Sequence, residues 1–239
     1  MRVGAAQMYI SNDIKINEAM ILKMIIEAAE REVELVAFPE MSLTGFYLPT
    51  LTGYDYQDDL ARALDRITLQ AEKLGMGIII GRPSSENGQV FNSASIILPG
   101  GINYRYDKNN LIAEEEKYFS PGNRSLNFTY KDHSFGVIIC RDQNYPDLAR
   151  EACQGNASAL FILAAHFYPP AEARKKLDKN VALPIARAVE NKCHVVFTNT
   201  VGSNMGLNSL GNSMIVHPEG VIIAKADESS VVLLTCDIW

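Results

Sequence analysis

Apolar positions along the chain alternate between two periods. Val3–Met8 is a short apolar run that predicts a strand. Ile16–Glu32 follows with helical spacing through Ile16, Met20, Met24 and Ala28, and Asn12 or Asp13 stands where an N-cap belongs. Leu35–Phe38 reads as a buried strand that stops at Pro39-Glu40. Tyr56–Leu74 places Leu60, Leu64, Ile67 and Ala71 on one helical face, and Gly75 ends it. Gly77–Gly81 is an Ile-rich strand.

The next stretch is richer in strands. Val90–Leu98 and Tyr104–Asp107 flank Pro99-Gly100-Gly101, a hairpin signal. Ser134–Cys140 predicts a strand and Pro146–Gln154 a helix, with Pro146 in the first turn, where a missing N–H does no harm. Ala159–Ala165 is a strand. Pro169–Asn191 is helical, with Pro184 marking a kink or a join of two helices. His194–Thr200 is a strand, Gly211–His217 and Val221–Lys225 form a hairpin about Pro218-Glu219-Gly220, and Val231–Asp237 is the last strand. Strand–helix units interrupted by hairpins predict an α/β architecture with mixed sheets. With no repeat, linker or low-complexity segment, one domain over 1–239 is expected.

Composition narrows the function. The chain has 239 residues, 47% of them hydrophobic and 21% charged, which suits a globular protein. Its net charge of −6 argues against a general nucleic-acid binder, which needs a basic face to replace phosphate counterions. The N-terminus has no apolar signal core, and the longest apolar stretch, Ala157–Phe167, is far short of the ~20 residues that cross a bilayer. A cytoplasmic protein with no membrane partner is the expectation. Four cysteines form no C-x-x-C pair, and four histidines show no ligand spacing, so no metal or other cofactor is expected.

Three reactive residues fall at or just beyond strand ends: Glu40, Lys108 and Cys140. In α/β folds the ligand crevice lies beyond the carboxyl ends of strands. Cys140 precedes a helix that opens at Pro146, as a nucleophile elbow would. A nearby cation or helix N-terminus is expected to lower its pKa. Glu40 is a candidate general base, partly desolvated by Phe38, Pro39 and Met41, with a raised pKa. Lys108 is a candidate for holding an oxyanion. Taken singly, each reads as readily as a core cysteine, a solvated glutamate and a surface lysine. His166 and Phe167 follow the strand Ala159–Ala165 and are candidates for the pocket wall, with loop packing as the alternative. Tyr47 is a further pocket candidate.

The combination resembles the nitrilase, or carbon–nitrogen hydrolase, superfamily. Phe38-Pro39-Glu40 with Thr44-Gly45-Phe46 resembles the family's glutamate segment. Tyr104-Arg105-Tyr106-Asp107-Lys108 resembles its lysine segment. Gly136-Val137-Ile138-Ile139-Cys140-Arg141-Asp142, with Tyr145-Pro146-Asp147 and Arg150, resembles its nucleophile elbow. Glu115, counted back from Pro121-Gly122 and flanked by Glu114 and Glu116, falls at the family's second glutamate. Arg187-Ala188-Val189-Glu190-Asn191 and Gly211-Asn212-Ser213 match later landmarks, so the likeness covers nearly the whole chain.

The resemblance implies a four-layer αββα sandwich and a Glu40–Lys108–Cys140 triad. Lys108 and the backbone N–H of Arg141 would stabilise the oxyanion, and Glu115 would orient substrate or support Lys108. It implies a hydrolase of a small linear amide or N-carbamoyl compound acting through a Cys140 thioester, and a homodimer or higher homo-oligomer. A true nitrilase and a catalytically silent binding protein on the same fold are the rivals. Two departures stand out: no histidine follows two residues after Lys108, and the chain stops at Trp239, directly after the last predicted strand, which weakens the support for a dimer.

Overall fold

The structure, a computed structural model, describes residues 1–46, 54–100 and 103–238. Tyr47 and Trp239 lie outside them. The elements run β1 (Arg2–Tyr9), α1 (Ile14–Glu30), β2 (Leu35–Ala37), α2 (Tyr54–Leu74), β3 (Gly77–Glu86), β4 (Gln89–Ile97) and β5 (Asn103–Asp107). Then come β6 (Leu126–Tyr130), β7 (His133–Ile139), α3 (Pro146–Ala152), β8 (Ala159–Leu163), α4 (Pro170–Asn191) and β9 (His194–Thr198). The chain closes with β10 (Thr200–Asn204), β11 (Leu207–Leu210), β12 (Met214–Val216), β13 (Ile222–Lys225) and β14 (Val232–Asp237).

These strands make two mixed sheets. One has the order β11-β10-β1-β2-β3-β4-β5, with β14 also paired to β1. The other has the order β13-β12-β9-β8-β7-β6. In the first sheet β1, β2 and β3 are parallel, and β4 and β5 continue as antiparallel strands. In the second, β7, β8 and β9 are parallel.

Period-two alternation explains the layers. Val3, Ala5, Ala37 and Ile79 face the second sheet and share one core with Val137, Ile139, Phe161 and Leu163. Their neighbours Ala6, Met8, Val36, Ile78 and Ile80 face the other way and pack on Ile21, Met24, Ile25, Leu60, Ala63 and Ile67 of α1 and α2. The second sheet carries α3 and α4 on its outer side. This is the αββα sandwich of the nitrilase fold. Among the described residues, no helix is long and apolar enough to cross a membrane.

Several elements differ from expectation. α1 starts at Ile14, capped by the Asp13 side chain, which accepts from Lys15 N at 2.8 Å. Ile16 is 55% exposed. A row with spacing four drifts about 40° around the helix per step, so Met24 and Ala28 are buried in the core, Met20 packs on its edge and Ile16 turns out to solvent. β3 runs on past Gly81 to Glu86 and turns back through Asn87-Gly88, both at positive φ, as a tight hairpin requires. α4 continues through Pro184 as one helix. β6 and the β10–β11 hairpin are additional strands.

Candidate active site

The parallel strands end on one side, and the loops that leave them carry the reactive residues. Glu40 lies three residues beyond β2. Its segment stays on β3, with Phe38 N donating to Ile79 O at 2.8 Å and Leu43 N to Gly81 O at 3.2 Å. Gly81 permits this closeness: a Cβ there would lie 2.7 Å from Glu40 Cα and also strike Pro39 O and Met41 N. Lys108 follows β5. Its N–H donates to Asn92 O and its carbonyl accepts from Gly122 N, both at 2.8 Å. Gly122 is needed because a side chain would collide with Asp107 O. Glu115 begins a short 3-10 turn, Glu115–Lys117, and its Oε2 accepts from Ile112 N at 3.0 Å.

Cys140 opens a 3-10 turn, Cys140–Asn144, directly after β7. Its φ is +48°, a left-handed conformation that non-glycine residues seldom adopt. Asp142 holds this turn in place. Its buried carboxylate accepts from Tyr106 OH at 2.7 Å, from Asn110 N at 2.8 Å, from Asn110 Nδ2 at 2.9 Å and from Ile139 N at 3.2 Å. The elbow is thereby tied to the strand and loop that carry Lys108.

Glu40, Lys108 and Glu115 converge in a dry centre, at 1%, 2% and 3% exposure. Lys108 Nζ donates to Glu40 Oε1 at 2.7 Å and to Glu115 Oε1 at 2.8 Å. Asn92 Nδ2 donates to the same two oxygens, at 2.8 and 3.1 Å. Glu40 Oε2 accepts from Ala165 N at 3.0 Å. Cys140 lies beside this cluster, close enough that the charges of Glu40, Lys108 and Glu115 all act on its thiol.

Burial and the neighbouring Glu115 charge push Glu40 above the usual carboxylate range, against the pull of Lys108 and Asn92. Burial alone would lower Lys108, but the charges of Glu40, Cys140 and Glu115 outweigh it and the net shift is upward, so the ammonium persists. Burial and the Glu40 charge raise the Cys140 thiol well above its ordinary value despite Lys108. The lowered thiol pKa expected from sequence is therefore corrected: the carboxylate and desolvation win, and the resting sulfur is protonated.

The remaining candidates take other positions. Arg141 sends its side chain away from the carboxylate cluster, with Nη1 donating to Leu111 O at 2.9 Å. It lines an open cleft of about 470 Å³ with Asn109, Asn110, Glu116 and Tyr145, beside the elbow and the Lys108 loop. His166 is buried and stacks near Tyr168 and Phe197, and Gln143 Nε2 donates to its Nε2 at 3.2 Å. Burial pushes His166 down to about 3, so the ring is neutral. It borders a cavity of about 10 Å³ with Asn180 and Asn199, room for about one water. Phe167 is half-buried and meets Phe46 edge to face, with ring centroids 6.3 Å apart. Tyr47 is outside the described residues.

Sequence reasoning missed Asn92, Asp142 and Tyr168. Asn92 had a usable signal: it shares the core-facing side of its strand with Ala94 and Ile96, where a polar side chain needs a partner. Tyr168 is raised to about 12 by burial and by the Cys140 and Glu40 charges.

The profile of the carbon–nitrogen hydrolase family matches residues 2–238. The chain belongs to that family. As a carbon–nitrogen hydrolase it is 30% identical over 213 residues to a nitrilase of Pyrococcus abyssi, covering 87% of this chain and 77% of that protein. It is 29% identical over 221 residues to a 2-oxoglutaramate amidase of Bacillus subtilis, covering 90% and 83%. Among solved structures, the NitN amidase of Nesterenkonia sp. AN1 superimposes with a TM-score of 0.87 at 23% identity, over 99% of this chain and 92% of that one, a likeness of fold. Among the described residues, no group of three or more His, Cys, Asp or Glu forms a candidate metal site.

Proposed function

We propose that the protein hydrolyses the C–N bond of a small linear amide or N-carbamoyl compound through a thioester on Cys140. One observation carries the reading: the Cys140 thiol, set in a left-handed turn, lies where the charge of Glu40 acts on it, and Glu40 Oε1 is held by the Lys108 ammonium. A raised carboxylate is a better base than a surface one, and its position spares the cost of bringing it to the sulfur.

The steps follow from these groups. Glu40 takes the thiol proton as the sulfur adds to the amide carbonyl carbon. The new oxyanion is held by Lys108 Nζ and the Arg141 N–H, donors worth about 3–4 kcal/mol each in comparable sites. The carbon–nitrogen bond breaks as protonated Glu40 returns its proton to the departing nitrogen, and ammonia leaves. The thioester on Cys140 is then attacked by water, from which Glu40 removes a proton. The acid is released and the proton returns to sulfur. Covalent catalysis splits one hard displacement into two easier ones.

A nitrile is the second substrate class, favoured by the likeness to the Pyrococcus abyssi nitrilase. The same thiol would add to the nitrile carbon. A panel of short amides, ureido acids and nitriles, read by ammonia release, tests both. Turnover of amides or ureido acids with no nitrile turnover is expected. Turnover of nitriles alone overturns the amidase reading, and ammonia from none of the panel overturns both.

A further inference from the structure

Glu40 has two oxygens, and the structure makes them unequal. Oε1 accepts from Lys108 Nζ at 2.7 Å and from Asn92 Nδ2 at 2.8 Å. A carboxylate oxygen has two in-plane lone-pair sites, so Oε1 is full. Among the described hydrogen bonds, Oε2 accepts only from Ala165 N, at 3.0 Å, which leaves one site open. Asn92 itself faces two acceptors, Glu40 Oε1 and Glu115 Oε1, so its amide can present only its NH2 end. Its Oδ1 is buried without a partner among the described residues. Such an orphan is costly. The site tolerates it because the opposite end of the amide donates to two carboxylates that must share one ammonium.

We propose that Asn92 is a positioning residue that makes Glu40 a one-ended base, closing Oε1 so that the Cys140 proton is received on Oε2. The step is a plain proton transfer: the S–H bond breaks, an Oε2–H bond forms and the electron pair stays on sulfur. Asn92 also donates to the ionised form of Glu40 and so holds its proton affinity down, against burial and Glu115. The inference rests on the reading of Glu40 as the base for Cys140.

The test is the rate of Cys140 alkylation by iodoacetamide as a function of pH, which needs no knowledge of the substrate. Asn92→Ala removes one donor from the charged carboxylate. The acid limb of the profile should move up by about one pH unit, an alkylation rate roughly tenfold lower on that limb. Asn92→Asp keeps the side-chain shape and adds a third carboxyl, so its limb should move further up. It also serves where the alanine variant does not fold. A purely structural role would lower Tm without moving the limb, so a folded variant with an unmoved limb overturns the proposal. A Cys140 that alkylates no faster than Cys153 in the unaltered protein overturns the base assignment itself, and the proposal with it. Fast alkylation with a limb indifferent to residue 92 overturns the proposal alone.

Discussion

Cys140 and Cys153 stand at opposite ends of the same short region, one in the turn before α3 and the other at its C-cap. Both thiols have raised pKa values. Burial and the Glu40 charge raise Cys140, whereas a hydrogen bond to the Cys193 thiol, with burial, raises Cys153. The sulfurs of Cys153 and Cys193 lie 3.8 Å apart in the core. Proton affinity therefore does not separate the proposed nucleophile from the other thiol. The neighbours differ: a buried carboxylate, Glu40, acts on Cys140, whereas the hydrogen-bonding partner of the Cys153 sulfur is the Cys193 thiol.

Exchanging each cysteine gives the largest contrast. Cys140→Ala should reduce ammonia release to background, because it removes the proposed nucleophile. Cys153→Ala should retain activity and lose only a little packing, about 1 kcal/mol or less for so small a side chain. Activity retained in Cys140→Ala would remove the basis of the comparison.

Lys108 tests what keeps the base ready. Lys108→Met removes the only cation within hydrogen-bonding distance of two buried carboxylates among the described residues. Stranding buried charges costs about 3–5 kcal/mol, so a large fall in Tm near neutral pH is expected. The sign is fixed by linkage. Without the ammonium, the folded pKa of Glu40, already raised by burial, rises further above its unfolded value, so stability is lost as pH rises through it and regained below. The Tm deficit should shrink in acid. In protein kept folded, kcat should fall by roughly 10²–10³, the cost of one oxyanion donor. A deficit that grows in acid would mean the two carboxylates do not depend on Lys108.

The same contrast explains what was legible in the sequence. Glu40 and Cys140 were readable because each follows an apolar strand run, and Lys108 and Glu115 because they fall in an ordered set of motifs. An α/β architecture with mixed sheets followed from strand–helix units mixed with hairpins, and the two-sheet sandwich from the resemblance to the family. Asp142 and Tyr168 were not readable as site residues, and Asn92 only as an inward polar side chain in want of a partner, since such a side chain acquires its role only from its partner across the fold. Asn92 meets Glu40 across 52 positions, and Asp142 meets Tyr106 across 36. The β10–β11 hairpin escaped because Gly202, Ser203, Asn204 and Asn208 give it little apolar alternation, and its turn at Met205-Gly206 uses positive φ rather than a proline signal. The direction of the Cys140 shift was misjudged for a related reason: the sequence does not show how dry the thiol's surroundings are, and burial is the first cause of its rise.

The smallest expected effect concerns Glu115, which shares both Lys108 and Asn92 with Glu40. Its negative charge raises Glu40. Glu115→Gln removes that charge and keeps an oxygen to accept from Ile112 N, so the local turn should survive. The acid limb of the activity profile reports Glu40 losing its proton. With one like charge gone, Glu40 ionises more readily and the limb should move to lower pH, by about one unit or less. Lys108 stays charged through Glu40 alone. This shift is opposite in sign to that expected for Asn92→Ala, although both substitutions remove a group touching the same ammonium-bound pair. Two limbs moving in opposite directions would show that the site tunes one carboxylate through a charge and a donor acting against each other. A limb moving upward in Glu115→Gln would mean that Glu115 acts on Glu40 mainly by holding Lys108 in place.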